Sequence, residues 1–223
     1  RPRHRRPAIS RMNQRSWRER FEAFADSRLK AALSASLPPY RTEYEQPEPN
    51  MLAIGSAWTR TVFDGLFYLS PRGVVSRPSC SLVFVQSADL NTGASNPADL
   101  GGGVTDTHLI YEGLSRVAAD AVLAGAGTVR GDDLLFSVWH PELVTLRASL
   151  GLPRHPVQMI ATVQGVDVDR MLLFNVPEIR AIVLTVADCA ARLRTALVGV
   201  LSTQIVMDRF VNIRYLKQVL AHG

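Results

Sequence analysis

One stretch constrains the fold more than any other: Asp120-Ala-Val-Leu-Ala-Gly-Ala-Gly-Thr-Val-Arg-Gly-Asp-Asp133. Its apolar run 121–124 predicts a short buried strand. Gly125 and Gly127 lack bulk and suit a backbone that approaches an anion closely. Thr128 adds a hydroxyl at the open end of the turn, and Asp132-Asp133 follow as a carboxylate pair. A strand, a Gly-x-Gly-Thr turn and acids in that order describe a nucleotide-phosphate site in an α/β protein. Two common versions are ruled out. A Rossmann fingerprint needs a third glycine where Arg130 stands, and no Gly-Lys-Ser/Thr follows to make a P-loop.

The chain around this stretch has 223 residues, enough for one domain with an appendage or two small domains. At 47% hydrophobic and 20% charged it can bury a core. Cys80 and Cys189 lie far apart with no C-x-x-C, which argues against a disulfide framework or zinc knuckle. They read as small core residues of a protein kept in a reducing compartment, the cytoplasm. No apolar run reaches the roughly 18 to 20 residues that span a bilayer, so no membrane association is expected.

The net charge of +5 is unevenly placed. Residues 1–20 hold eight arginines and one acid, Glu19, a balance of +7 that leaves −2 for residues 21–223. Residues 1–15 therefore read as a basic, unfolded tail, a solvated extension ahead of a start at Met12. Nucleic acid binding through that tail is the alternative, as is a transit peptide. No aromatic residues interleave its arginines ahead of Trp17.

Residues 16–76 read as a helical and extended arm. Trp17, Phe21, Phe24, Ala25 and Leu29 predict a helix over 16–33. The prolines of 37–49 then break it, and the apolar pieces 51–54 and 67–69 around Asp64-Gly65 predict a hairpin-like segment. From residue 77 strands and helices alternate, as an α/β fold requires. Strands are expected at 80–86, 121–124, 156–162, 181–186 and 203–207. A Gly-rich loop is expected at 91–103. Helices are expected from a Thr105 or Asp106 cap to Ala118, at 189–197, and along Ile213, Leu216, Val219 and Leu220. His4, His108, His140, His155 and His222 share no metal spacing, and Asp167-Val-Asp169 lacks the rest of a calcium loop, so no metal is assigned.

The order of motifs carries more than any one of them. Arg77-Pro78 opens a strand that ends in Gln86-Ser-Ala-Asp89. A Gly-rich loop, Arg116, Ala119-Asp120 through Thr128 and Asp132-Asp133 come next. Arg154-His-Pro156 opens another strand, and Leu172-Leu-Phe174 precedes the following one. From residue 77 to 223 the chain resembles the reductase domain of bacterial riboflavin biosynthesis, whose fold is that of dihydrofolate reductase. The resemblance implies a three-layer α/β sandwich on a mostly parallel central sheet. It implies a homodimer and an NADPH-dependent reduction of a small molecule, a phosphoribosylaminouracil. It makes Thr128 and Asp132 cofactor contacts beside Gly125 and Gly127, and Val85 a backbone cofactor contact. Arg116 and Phe136 become substrate contacts; no catalytic side chain is assigned, since hydride transfer is the cofactor's own chemistry.

This chain departs from that pattern at named places. The glycine of the family's Ser-Leu-Asp-Gly turn is Leu90, and the substrate loop reads Gly101-Gly-Gly103. Trp139 stands for a second phosphate-binding arginine, and Leu134 for a proline. The family's closing glycine motif would follow Gly223, which suggests a chain that stops in mid-fold. These departures keep two alternatives open: a pterin-type reductase of the same fold, and a non-catalytic reductase-like protein that binds RNA or a protein through its basic tail and arm.

Overall fold

The computed structural model describes residues 11–34, 40–41, 52–54, 63–64, 67–69, 80, 86–91, 113–130, 133–196 and 203–207. Helix α1 (Arg11–Ser34) opens the chain, followed by four short strands, β1 (Tyr40–Arg41), β2 (Leu52–Ile54), β3 (Phe63–Asp64) and β4 (Phe67–Leu69). A 3-10 turn (Leu114–Arg116) leads to β5 (Ala121–Gly125) and the helical turn α2 (Ala126–Val129). Helix α3 (Pro141–Ser149), β6 (Val157–Ala161), α4 (Leu172–Asn175), β7 (Ala181–Thr185), α5 (Ala187–Ala196) and β8 (Thr203–Met207) complete the described elements. The protein is thus mixed α/β.

The chain divides into two compact units. Unit 1 joins residues 1–28, 119–137 and 153–210. It holds an open, all-parallel sheet in which β5, β6 and β7 lie side by side and β8 pairs with β7. Parallel strands are covered on both faces and so read as apolar runs. Val-Gln-Met-Ile-Ala and Ala-Ile-Val-Leu-Thr are such runs, and every residue of β7 is buried. Ile160 and Ile182 from the strands, with Leu172, Phe174 and Ile179 from the β6–β7 connection, form a fully buried core. The expected strands at 121–124, 156–162, 181–186 and 203–207 are all present. β5, expected to be buried, has no buried residue and leaves Leu123 57% exposed. The helix expected at 189–197 starts two residues earlier. It starts there because Val186 already offers its carbonyl to Ala190.

Unit 2 joins residues 29–118, 138–152 and 211–223. β2 and β4 pair antiparallel, Leu52 opposite Leu69, in the region expected to be hairpin-like, and β1 and β3 pair in parallel. Leu114, Val117, Val138 and Leu143 form a core cluster, with Ala118, Val144 and Leu146 packed against it. The side chain of Arg147, almost wholly buried, donates from Nη1 to the carbonyls of Arg116 (3.1 Å) and Val117 (3.2 Å). These bonds satisfy carbonyls that the short 3-10 turn leaves open.

Four further expectations change. The helix expected over 16–33 starts at Arg11, so residues 11–15, expected to belong to an unfolded tail, are helical. No helix runs unbroken to Ala118, because Gly113 adopts the left-handed region (φ 88°) and the chain restarts as a 3-10 turn. Cys80 is exposed, among the polar neighbours Ser79 and Ser81, so only Cys189 serves as a core thiol. The Gly-x-Gly-Thr segment is a single helical turn and not a tight turn. Residues 81–85 of the expected strand, 92–103 of the expected loop, the start of the 105–118 helix and the closing helix lie outside the described residues. So do Val85, Asp132 and residues 1–10.

Candidate functional site

In open parallel sheets ligands collect at the carboxyl ends of the strands. β5 delivers Gly125 to that edge of unit 1, and the turn α2 carries Gly127 and Thr128 immediately beyond it. Ala126 and Val129 are buried and anchor the turn, while Gly125, Gly127 and Thr128 are exposed.

The two glycines are not demanded by the fold. Gly125 is extended at φ −74°. Positive φ occurs at Gly113, Gly151 and Gly165, but not at Gly125 or Gly127. A Cβ added at either would meet no atom within 4 Å. Neither dihedral strain nor internal packing therefore accounts for glycine here. What their missing side chains leave is open backbone surface next to the Thr128 hydroxyl.

The turn after β6 completes this edge. Thr162 Oγ1 donates to the Gly165 carbonyl at 3.1 Å and accepts from the Gly165 N–H at 2.9 Å. Gly165 needs its glycine: its φ is +103°, and an added Cβ would stand 3.4 Å from Cys189 Sγ. Arg130, at the end of the glycine turn, donates from Nη2 to the same Gly165 carbonyl at 3.2 Å. The ends of β5 and β6 are thereby tied together. Val163 and Val186 lie exposed just beyond β6 and β7. Thr185 closes β7 with a hydroxyl that is buried and makes no hydrogen bond among the described residues. In the sequence Arg130 stands out only as the missing third glycine of a Rossmann fingerprint, and the 162–165 turn and Thr185 belong to no motif. Their signal was positional: each falls at the carboxyl end of a strand in a parallel sheet.

The segment after the turn is held firmly. Gln158, fully buried on β6, grips the backbone of Phe136 from both sides. Its Oε1 accepts the Phe136 N–H at 2.9 Å, and its Nε2 donates to the carbonyls of Phe136 (2.9 Å) and Pro156 (2.7 Å). The Phe136 side chain is only 7% exposed and packs inward. Beside it the buried Ser137 Oγ lies 2.7 Å from His155 Nδ1 and accepts from Arg154 Nη1 at 3.2 Å. Burial lowers the guanidinium pKa of Arg154 below its ordinary value. Asp133 is bound by Arg20 of α1 and accepts the Leu172 N–H at 3.4 Å.

Among the residues singled out from the sequence, Gly125, Gly127 and Thr128 stand together on one edge of unit 1. Phe136 belongs to the same unit but is buried. Arg116 belongs to unit 2, where it is 8% exposed and its carbonyl serves Arg147. Val85 and Asp132 lie outside the described residues. Asp120, which opens the 120–133 stretch, is exposed, and its carbonyl accepts the Val157 N–H at 2.9 Å, the first rung between β5 and β6. Asp89, at the end of Gln86-Ser-Ala-Asp89, accepts the Ser87 hydroxyl, which with Asn91 lowers the pKa of its carboxyl.

Among the described residues no group of three His, Cys, Asp or Glu side chains could hold a metal ion, and no helix is long and apolar enough to cross a membrane. Comparison with protein-family models and with curated proteins found no match to this chain.

Proposed function

We propose that this chain is an NADPH-dependent reductase of a small heterocycle, similar to the phosphoribosylaminouracil reductases of riboflavin biosynthesis. In this reading its parallel sheet is the central layer of a dihydrofolate reductase-like sandwich, the active form is a homodimer, and it works in the cytoplasm. The observation that carries the reading is the open backbone at the end of β5. Two glycines that the fold itself does not require leave clear backbone beside an exposed threonine hydroxyl, at the strand edge where nucleotides bind.

The residues present suit a dinucleotide. Gly125 and Gly127 allow close backbone approach, Thr128 offers a hydroxyl, and Asp132 joins them by its place in the motif. Val163 and Val186 add apolar surface at the same strand ends. NADPH bound there would supply the hydride, and the protein's part is to align the rings and exclude water.

Titration of the full chain with NADPH, followed by cofactor fluorescence, tests the reading. Saturable binding is expected, and Thr128→Val and Asp132→Ala should each weaken it about tenfold, the scale of one hydrogen bond to a charged group. Both variants should keep the wild-type melting temperature. A full chain that binds no NADPH, or binding unchanged in both variants, overturns the assignment.

One observation favours the pterin-type alternative for the substrate. The position that bears a phosphate-binding arginine in the resembled family is Trp139, and it is 5% exposed. A substrate with fewer phosphates would not miss that cation, and competition between phosphorylated and unphosphorylated heterocycles separates the two.

A further inference from the structure

Helix α2 is too short to hold its own shape. It has four residues, Ala126–Val129, and the first turn of a helix costs more order than its own hydrogen bonds return. Outside support is therefore needed. Ala126 and Val129 supply part of it by burying their side chains, while Gly127 and Thr128 between them stay exposed. Arg130 follows as the cap residue, in extended backbone (φ −77°, ψ 134°). Its Nη2 crosses to the Gly165 carbonyl at 3.2 Å and ties the exit of α2 to the turn after β6.

That acceptor is itself held from three strands and helices of unit 1. Gly125 lies opposite Ala161 in the β5–β6 register, so Thr162 comes next to the strand end from which α2 starts. Thr162 Oγ1 bonds both the carbonyl and the N–H of Gly165, and Thr162 N–H donates to the Leu184 carbonyl of β7 at 2.9 Å. From α5, Arg192 Nη2 donates to the Gln164 carbonyl at 3.3 Å. With Thr162 and Arg130 both donating, the Gly165 carbonyl uses both of its lone pairs. Among the described residues Arg130 forms no ion pair, so this carbonyl is what orients it. Arg170 is different in kind. It belongs to the same β6–β7 connection but pairs with Asp167 at 3.3 Å, with its side chain 86% exposed.

We propose that Arg130 is a positioning residue for Thr128 and for the open backbone of Gly125 and Gly127. Its bond to the 162–165 turn keeps the end of α2 from fraying. The Thr128 hydroxyl, two residues earlier, is thereby held at the strand edge for NADPH. This rests on the reductase reading. Arg130 acts through the turn and does not itself contact the cofactor.

The test is titration of the full chain with NADPH, followed by cofactor fluorescence, in a double-mutant cycle. Arg130→Ala and Thr162→Val are each expected to weaken binding about fivefold, the scale of one hydrogen bond. Both remove the same brace, so the double variant should also lose only about fivefold, a non-additivity that independent sites do not show. Arg130→Lys keeps one donor for the Gly165 carbonyl and should stay within about twofold of wild type. Arg170→Ala removes an arginine without touching the turn and should likewise stay within about twofold.

Several outcomes would overturn the proposal. If Arg130→Ala or Thr162→Val binds as wild type does, the brace does not position the site. If the two losses multiply in the double variant, or Arg130→Lys binds as weakly as Arg130→Ala, Arg130 touches the cofactor directly. If Arg170→Ala costs as much as Arg130→Ala, only the loss of positive charge matters. A wild-type chain that binds no NADPH overturns the reductase reading with it, and that result is distinct because no variant is involved.

Discussion

Leu90 sits in a backbone conformation that suits glycine. Its φ is 68°, and it is the only non-glycine residue with positive φ among the described residues. The turn around it is well made: Leu90 N–H donates to the Ser87 carbonyl at 2.9 Å, and Asn91 N–H donates to Ser87 Oγ at 3.1 Å. The resembled family places glycine at this position, so a departure visible in the sequence coincides with strain visible in the backbone. A left-handed non-glycine residue costs roughly 1–2 kcal/mol. Glycine gives part of that back through the unfolded chain, roughly 0.5–1 kcal/mol. Leu90→Gly is therefore expected to stabilise the protein by about 0.5–1 kcal/mol, because the 73% exposed leucine side chain loses little packing. Urea denaturation of the two proteins checks this; a lower midpoint for Leu90→Gly would show that the leucine side chain is wanted where it is. The glycines of the candidate site obey the opposite logic. Nothing in their dihedrals or neighbours asks for glycine, so what they leave open is room outside the chain.

Helix α3 shows what periodicity hides. Its apolar residues Leu143, Val144 and Leu146 make too short a stripe to stand out. Its signals were Pro141 at the first turn and Glu142 behind it, the residues that favour a helix start. The cap is His140, whose Nδ1 accepts the Glu142 N–H at 3.3 Å, and an imidazole can accept only while that nitrogen is unprotonated. Burial lowers the pKa of His140 below its ordinary value, and the nearby Glu142 opposes this more weakly. The unfolded chain therefore takes up the proton first as pH falls. The stabilisation from neutral His140 is complete above about pH 6.5, the unperturbed imidazole value. It is lost as pH drops through the lower folded value. His140→Asn keeps a capping acceptor without the titration, so its stability should fall less between pH 7 and pH 5. Parallel melts at the two pH values decide it, and equal losses in both proteins would remove His140 as the cause. Strands and α5 were legible because each is a run of β-branched and aliphatic residues or a clear helical stretch. The Gln158 grip on Phe136, the Arg147 bonds under the 3-10 turn and the Arg20–Asp133 pair were not. They join residues 22, 31 and 113 positions apart, and no local pattern announces such pairs. For the same reason Phe136 and Arg116 could be assigned ligand roles from motif order alone, while their burial emerged only from packing.

At the scale of the whole chain the charge remains divided. Six of the arginines lie in residues 1–15, and without them the rest sums to −1. Whatever polyanion affinity the protein has should therefore reside in those residues, ahead of the arginines that α1 spends internally on Glu178 and Asp133. If all six engage single-stranded RNA, the logarithm of the binding constant should fall against the logarithm of salt concentration with a slope of about −4, at roughly 0.7 per contact. Deletion of 1–15 should abolish retention, because the remaining chain repels phosphate overall. The same deletion keeps Arg18 and Arg20 and trims α1 by only the five residues 11–15, so the Arg20–Asp133 pair and the NADPH affinity should survive it. Filter binding across a salt series, with NADPH titration of the same two proteins, separates the activities. RNA retention that ignores salt, or that persists in the deleted chain, would place nucleic acid binding on the folded body and would favour the interaction-protein alternative over the reductase. Loss of NADPH affinity along with the tail would mean that the proposed cofactor site draws on residues ahead of position 16.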